Sequence, residues 1–360
     1  MESNKQSTDA SKKEVQEENS TSGKQGGSAF EEMKPMLRPV GVQMGIMKVD
    51  EELCVQCGQC IENCPLGAWE ADKNGIPQMT AQNGCLSCYN CIVACPSEAV
   101  SAVETYHAKG GFFATDPYPL KNKNPLPPMD AEGKPDTWNE VEKHIFERRS
   151  VRNFLPEPVS EHLIQRVLEA GRFAPSAGNC QPWKFIVVTN KGLIEEMNNA
   201  CFKLLSFITG VYNDDATVAG LIPMYEESRN PGMFDPRMIT GGAAAVARKV
   251  APVFLGAPAV ILVACDERAI GSPQMATGIC GQNMNMVAKS LGLGFCWIGF
   301  STLIERDPEL KEKLGLQYPW KITTAAVLGY PSFKQDGIVP REFRPVTWFR
   351  ENETTPFIQE

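Results

Sequence analysis

Eight of the thirteen cysteines fall in two runs of identical spacing, Cys54 to Pro65 and Cys85 to Pro96. Each run reads C-x2-C-x2-C-x3-C-P, and each cysteine of the second run lies 31 residues after its counterpart. Three thiolates this close together ligate one cubane cluster, and the fourth cysteine, followed by proline, ligates the other cluster. The spacing predicts two [4Fe–4S] centres, with ligands Cys54, Cys57, Cys60 and Cys95 for centre I and Cys85, Cys88, Cys91 and Cys64 for centre II.

Zinc binding, disulfide formation and chance fit these cysteines less well than clusters do. Structural zinc uses four thiolates from two separated pairs rather than three in one run. Disulfides require an oxidising compartment, which nothing in the sequence indicates. Chance core cysteines would not repeat in register. Residues 45–105 resemble bacterial two-cluster ferredoxins, so we expect a ferredoxin-like fold there. The five remaining cysteines have no ligand spacing and are predicted to be buried thiols.

Composition divides the chain into four parts. Residues 1–44 are polar and are predicted to be a disordered tail. Residues 45–105 form the cluster domain, which is too small to depend on an apolar core alone and would be held together by its clusters. Residues 106–137 are rich in proline and predict an extended linker. Residues 138–360 form a second domain, ending in an arm from Arg341 that has aromatic residues but no element of its own that could bury them.

Hydrophobic periodicity in the second domain predicts alternating helices and strands. Helices are predicted from a cap at Asp136 or Thr137, from a cap at Ser160, and over 192–208, 273–291 and 307–314. Strands are predicted over 185–188, 258–264, 295–299 and 322–328. The segment 210–249 is longer than a connector needs to be. It is interpreted either as a cap over a site or as an insertion that packs a dimer.

Four segments in this domain carry a more specific pattern, in this order: Arg148 to Phe154 (RRSVRNF), Pro175 to Phe185, Trp297 to Phe300 (WIGF) and Leu328 to Pro331 (LGYP). Together they resemble the nitroreductase family, whose members are FMN-dependent α+β homodimers. The resemblance implies an α+β fold, with a three-layer FMN domain behind the ferredoxin-like domain. It also implies a homodimer.

The resemblance assigns roles to the first segment. Arg148 and Ser150 would contact the ribityl phosphate region, with Arg149 held mainly through its backbone. Arg152 would lie at the pyrimidine edge of the flavin, where a positive charge stabilises the reduced ring. Arginine forks match the geometry of phosphate. The alternative is that basic residues at the end of a helix only favour its dipole.

The later segments supply the remaining candidates. Pro175, Ser176 and Asn179 would reach the flavin bound mainly by the other subunit, with Ala177 where a second serine is common. Gly299 matches the residue whose backbone N–H faces flavin N5, which makes it the catalytic candidate, because close backbone approach needs a missing side chain. Ile298 stands beside it in place of the usual acid. Arg341 and Arg344 are further phosphate candidates, or else exposed surface arginines.

Charge and hydropathy exclude several classes of partner. The net charge of −8 argues against a nucleic-acid partner. Residues 45–105 carry eight acidic residues and two lysines, and this acidity either steers a basic partner or is a solvated surface. The longest apolar run, Val253 to Ala264, is too short to cross a bilayer. The N-terminus has no export signal, so we expect a cytoplasmic protein without a membrane partner.

These features predict an iron–sulfur flavoprotein oxidoreductase. Electrons would come from a low-potential donor, a ferredoxin-like protein or NAD(P)H, and pass through the two clusters to FMN. FMN would reduce a small electron-poor acceptor such as a nitroarene, a quinone or an activated alkene. Two alternatives use the same cofactors: a mediator that reduces a partner protein, and a redox sensor whose N-terminal tail binds a partner. Fold and motif do not choose between them.

Overall fold

The computed structural model describes residues 42–80, 84–108, 125–211, 237, 241–333, 337–341, 345–351 and 357–359. Most of the predicted tail, part of the linker, most of the 210–249 segment and Arg344 lie outside the described residues. The N-terminal module, residues 42–108, contains β1 (Val42–Gln43), β2 (Ile46–Val49), α1 (Gln59–Glu62), β3 (Trp69–Ala71), β4 (Pro77–Met79), α2 (Asn90–Ala94), β5 (Val100–Glu104) and β6 (His107–Ala108).

Three antiparallel strand pairs frame this module. β2 pairs with β5, β3 pairs with β4, and β1 pairs with β6. The last pair joins residues on either side of the predicted range 45–105. His107, which falls in the predicted linker, is therefore buried in a strand, and its Nδ1 lies 2.9 Å from the Thr105 carbonyl. The module's apolar core is small, with five buried residues: Met47, Cys60, Trp69, Cys91 and Val100.

The C-terminal domain is built on one four-stranded sheet with helices around it. Its elements are α3 (Glu140–Phe146), α4 (Glu161–Arg172), a 3₁₀ turn (Ala177–Asn179), β7 (Trp183–Val188), α5 (Lys191–Val211), α6 (Gly242–Ala247), β8 (Ala259–Asp266), α7 (Pro273–Ser290), β9 (Gly294–Ile298), a 3₁₀ helix (Gly299–Arg306), α8 (Pro308–Lys313) and β10 (Trp320–Gly329). The sheet order is β7-β8-β10-β9, and every neighbouring pair is antiparallel.

Alternating side chains of the central strands form two separate cores. On one face Val260, Leu262 and Ala264 pack with α5, α6 and the 3₁₀ helix 299–306. On the other face Ile261 and Val263 pack with α4 and α7. Because neighbouring residues of a strand point to opposite faces, a strand with almost every residue buried requires cover on both sides. The predicted α+β fold with three layers is therefore confirmed.

Helix α3 differs from its prediction in its cap and its packing. Asn139, and not Asp136 or Thr137, is the N-cap, and it forms a capping box with Glu142. Val141 and Ile145, which share one face by helical spacing, are 67% and 47% exposed. Helical spacing shows which residues share a face but not whether another element covers that face. In this chain polar contacts hold the helix instead.

Those polar contacts run from α3 to α7. The His144 ring nitrogen Nε2 lies 2.8 Å from the Met286 carbonyl, and Lys289 Nζ donates to the His144 carbonyl at 3.1 Å and to Glu147 at 3.0 Å. His144 is half-buried and links α3 to α7.

The C-terminal arm contains one hairpin among its described residues. β11 (Val346–Trp348) pairs antiparallel with β12 (Phe357–Gln359). Trp348 is 46% exposed and Phe349 is 83% exposed. The hairpin satisfies backbone hydrogen bonds without burying these aromatic side chains within the described part of the chain.

Two glycines of α7 allow a matched test of packing. A Cβ on Gly281 would lie 1.7 Å from the Trp297 ring, whereas a Cβ on exposed Gly278 would meet nothing within 4 Å. We expect Gly281→Ala to lower the free energy of unfolding by roughly 1–3 kcal/mol, because a rigid ring blocks the added methyl. We expect Gly278→Ala to raise it by about 0.5–1 kcal/mol. Urea unfolding measures both, and equal effects would contradict the packing described here.

Candidate functional site

The eight cysteines of the repeat separate into two groups in space. Cys54, Cys57, Cys60 and Cys95 line one small cavity. Cys64, Cys85 and Cys88 line another, larger cavity, and all three lie close enough to Cys91 to perturb its thiol electrostatically. The structure thus brings together the same two sets of four that the spacing predicts, with Cys64 and Cys95 each serving the set of the other run.

Local backbone geometry is repeated around the two crossing cysteines. Helices α1 and α2 are preceded by residues with left-handed backbones, Gly58 (φ 73°) and Tyr89 (φ 60°). The backbone N–H of Ala68 donates to Cys64 Sγ at 3.2 Å. The backbone N–H of Ala99 donates to Cys95 Sγ at the same distance. Donors of this kind stabilise a thiolate ligand and tune a cluster's potential.

Burial determines the charge state of these thiols. Burial raises the pKa of Cys60 to about 11 and that of Cys85 to about 12, and it also raises the pKa of Cys64 and Cys91. A buried thiolate therefore requires nearby positive charge, which ligated iron supplies. Among the described residues no three His, Cys, Asp or Glu side chains are close enough to hold a single metal ion.

The larger cavity lies between the N-terminal module and the C-terminal domain. Its volume is about 790 Å³, within the range typical of ligand pockets. The module contributes two short segments, Cys64–Leu66 and Cys85–Cys88, together with Asn90. Hydrogen bonds across the boundary hold the two parts together: Asn153 Nδ2 donates to the Glu62 carbonyl at 3.0 Å, and the Tyr106 hydroxyl donates to the Arg237 carbonyl.

Most of the predicted cofactor residues of the C-terminal domain line this same cavity. They are Arg148, Ser150, Arg152, Ile298, Gly299 and Arg341. The other described candidates do not line it. Arg149 is buried at 6% exposure and donates from Nη1 to the Arg148 carbonyl at 2.9 Å. Burial beside the cavity agrees with a backbone role for Arg149.

Three arginines give the cavity a positive region. Within the described part of the chain, none of Arg148, Arg152 and Arg341 takes part in an ion pair. Burial lowers the pKa of Arg148, and the neighbouring charge of Arg341 lowers it further. Like charges held together without a carboxylate are stabilised by a bound anion, so the region suits a phosphate group.

Gly299 begins the 3₁₀ helix that follows β9. A Cβ at this position would meet nothing within 4 Å, so it would extend into open cavity space. The glycine thus leaves its backbone accessible from the cavity, which a ligand in close contact with the chain requires. The preceding Ile298 is 6% exposed and provides an apolar wall.

The loop from Pro175 to Asn179 lies elsewhere. Ser176 Oγ accepts from the Gln181 backbone N–H at 2.9 Å, and Asn179 has a left-handed backbone with φ 52°. A Cβ on Gly178 would lie 3.0 Å from Ile270, so the loop packs beside that residue. Pro175, Ser176 and Asn179 are not among the residues that line the cavity of their own chain.

Sequence reasoning missed the apolar walls and two residues next to centre II. The walls come from α5, the segment 251–255 and the 3₁₀ helix 299–306. Their side chains at the cavity are mostly apolar, and nothing in the sequence distinguishes them from ordinary core residues. Cys296 was predicted only as a buried thiol. Burial raises its pKa and Cys88 raises it further, whereas Arg152, Ser150 and Arg148 lower it. Cys296 therefore lies near Cys88 as well as near the arginines, and it lines the same cavity. Asn90, which also lines the cavity, was not singled out.

A positive, mostly apolar cavity next to eight arranged thiols defines a redox protein with an organic and an inorganic cofactor site. Residues 145–330 match the nitroreductase family, and residues 46–97 match the 4Fe-4S dicluster domain. The chain belongs to the nitroreductase family. The predicted class, an FMN-dependent reductase with two [4Fe–4S] clusters, is confirmed with it.

Relatives match each half of the chain. A nitrobenzene nitroreductase of Ectopseudomonas oleovorans is 25% identical over 238 residues, which is 61% of this chain and 97% of that protein. A ferredoxin of Pyrobaculum islandicum is 32% identical over 69 residues, 18% of this chain and 64% of that protein. A solved nitroreductase with bound FMN from Desulfitobacterium hafniense is 28% identical, covers 57% of this chain and 96% of its own, and has a TM-score of 0.44. None of the described helices is long and apolar enough to cross a membrane.

Removal of Cys64 tests the crossing of the ligands. We expect Cys64→Ala to lose about half of the iron and acid-labile sulfide, because a cubane lacking one thiolate is labile. Adding Cys88→Ala should cause no further loss, because both cysteines serve centre II, whereas adding Cys57→Ala should remove the rest. The control Cys180→Ala changes a cysteine outside both sets, which is exposed and not buried as predicted. The crossing is wrong if the Cys64/Cys57 pair retains half of its iron.

Proposed function

We propose that this protein is an iron–sulfur flavoprotein reductase in which the two clusters pass electrons from a low-potential donor to FMN in the shared cavity. The reduced cofactor then acts on a small electron-poor acceptor. One observation carries the proposal: ligand cysteines of centre II and the flavin candidates of the C-terminal domain line a single cavity. Such proximity would allow direct electron transfer from centre II to the flavin. A module that served only to bind a partner would not need it.

Residues that line the cavity suit both the phosphate end and the ring end of FMN. Bound FMN exchanges electrons singly with clusters and transfers hydride to organic acceptors. Arg148 and Arg341 would hold its phosphate, and Ser150 would add a hydrogen bond. Arg152 would face the pyrimidine edge and Gly299 would admit the ring to close contact with the backbone. Each of these residues lines the cavity, which supports the assignment.

The acceptor is proposed to be a small molecule of the nitroarene, quinone or activated-alkene class. The cavity walls are largely apolar, with Leu205, Val253, Leu255 and Phe300 among the residues that line them. Ile298, in place of an acid, adds to this character. Such walls favour a flat organic acceptor over a protein surface, so the observation favours a reductase over an electron mediator.

We also propose a homodimer in a reducing, cytoplasmic setting. Pro175, Ser176 and Asn179 lie away from the cavity of their own chain, which agrees with a role at the flavin of a second copy. Thiolate ligands require a reducing compartment, because disulfides would consume them. The donor is either a ferredoxin-like protein or NAD(P)H.

The function is tested by an anaerobic acceptor screen on the full-length protein with its clusters and flavin loaded. Reduced ferredoxin and NADPH serve as alternative donors, and nitrobenzene, benzoquinone and an activated alkene serve as acceptors. We expect flavin reoxidation by at least one acceptor class after reduction by one of the donors. A protein that purifies without flavin, or whose reduced flavin reacts with none of these acceptors, would contradict a reductase.

The phosphate site yields a separate prediction. We expect Arg148→Gln to weaken FMN binding by about 10- to 100-fold, because it removes hydrogen bonds to a charged group. Riboflavin, which lacks the phosphate, should bind the variant and the wild-type apoprotein equally. The control Arg172→Gln removes an exposed arginine that pairs with Glu169 on α4. Titration of apoprotein, followed by flavin fluorescence, measures both ligands. An equal loss of FMN and riboflavin binding would show that Arg148 does not contact phosphate.

A further inference from the structure

We propose that the two clusters act in a fixed order, with centre I receiving electrons from the donor and centre II delivering them to the flavin. The inference rests on the proposed function and assigns a residue, Asn90, to the delivering step. Electron-transfer rates fall steeply with distance, so the order follows from which thiols lie at the cavity and which face solvent.

The two centres differ in their position relative to the cavity. Cys64, Cys85 and Cys88 of centre II line it together with Gly299. No ligand of centre I is among the described residues that line it. Cys57 of centre I is instead exposed, and its neighbours Leu53 and Val55 are 51% and 63% exposed. Centre I therefore faces outward, where a donor can reach it.

Packed protein joins centre II to the C-terminal domain. Cys296 of β9 is 4% exposed, lines the cavity, and lies near enough to both Cys88 and Arg152 for their charges to affect its thiol. The hydrogen bond from Asn153 to the Glu62 carbonyl anchors the module two residues before Cys64. This contact fixes the distance between centre II and the cavity, which a freely moving module would not maintain.

Asn90 is a buried polar residue at this interface whose side-chain amide lacks a hydrogen-bond acceptor among the described residues. It lines the cavity, directly precedes the ligand Cys91 and is 3% exposed. Its Nδ2 has no hydrogen-bond partner among the described residues. A buried donor without an acceptor is destabilising, because it has lost its hydrogen bonds to water. The structure therefore assigns its acceptor to the group bound beside it, a sulfur of centre II or an oxygen of the flavin.

The repeat supplies a matched residue at centre I. Gln59 lies 31 residues before Asn90 and directly precedes the ligand Cys60. Its Oε1 accepts from Asn63 Nδ2 at 3.4 Å, so its side chain has a partner in the chain. Gln59 does not line the cavity. The same substitution at the two positions thus perturbs one centre at a time.

The electron count balances with one-electron reductants. Two molecules of a low-potential one-electron donor are each oxidised once, and two single electrons would leave centre II in succession. Together with one proton from solvent they equal the hydride that passes to the acceptor. No oxidant other than the acceptor is needed.

The experiment compares Asn90→Leu and Gln59→Leu in the full-length protein with both clusters and flavin loaded. Laser-flash photoreduction with a deazaflavin delivers one electron, and the readout is the phase in which cluster absorbance recovers while flavin absorbance falls. We expect Asn90→Leu to slow this phase about tenfold, because one hydrogen bond at the delivering centre is lost. Gln59→Leu should leave its rate near that of the wild type.

Potentials measured by redox titration with electron paramagnetic resonance give a second readout. A shift of the centre II potential in Asn90→Leu identifies a cluster sulfur as the acceptor, and a shift of the flavin potential alone identifies the flavin. Should Asn90→Leu fail to load its clusters, Asn90→Asp, which keeps the side-chain shape but carries no amide donor when ionised, takes its place.

The outcomes separate this inference from the proposed function. If the wild type shows no transfer phase, the proposed function is wrong, and the proposed order of the two centres is wrong as well. If the wild type shows the phase but Gln59→Leu slows it and Asn90→Leu does not, the order is reversed. If neither variant changes the rate or any potential, Asn90 has no part in delivery.

Discussion

Exchange of the fourth cysteine between the two runs is the constraint on which the N-terminal module depends. Cys64 lies with the ligands of the second run and Cys95 with those of the first. With these ligand sets each centre would be bonded to both halves of the repeat, so that neither half could move away without breaking iron–thiolate bonds. The module needs this constraint, because its own apolar core contains only five buried residues.

The same constraint sets what the module presents to the rest of the chain. Because Cys64 and the loop from Cys85 to Cys88 belong to one centre, they are held at one side of the module. Asn153 and Tyr106 attach that side to the C-terminal domain. Centre II consequently lies at the cavity that also contains Arg148, Arg152 and Gly299. The grouping of Cys64 with the loop from Cys85 to Cys88 thus also places this side of the module at the candidate flavin site.

The sequence was sufficient to predict features that depend on the spacing of chemical groups along the chain. It was not sufficient to predict features that depend on contacts between distant segments. The cysteine repeat was sufficient to group the ligands, and the strands 258–264 and 322–328 were placed within a few residues of β8 and β10. The exposure of α3 was not predictable, because periodicity identifies a face of a helix and not its neighbour. The roles of His144, Cys296 and Asn90 were missed for a related reason: each depends on residues far away in the chain.

The residue types and their spacing alone pointed to the family, to the division of the eight cysteines into two sets of four and to the arginine-rich segment, because groups that bind iron or phosphate recur at set intervals. The tertiary structure alone decided that centre II rather than centre I faces the cavity. It also decided that Asn90 is buried there without a partner among the described residues and that the Pro175–Asn179 loop lies elsewhere. Those facts depend on how two separately folded parts pack, and packing between distant segments leaves no periodic pattern in the sequence.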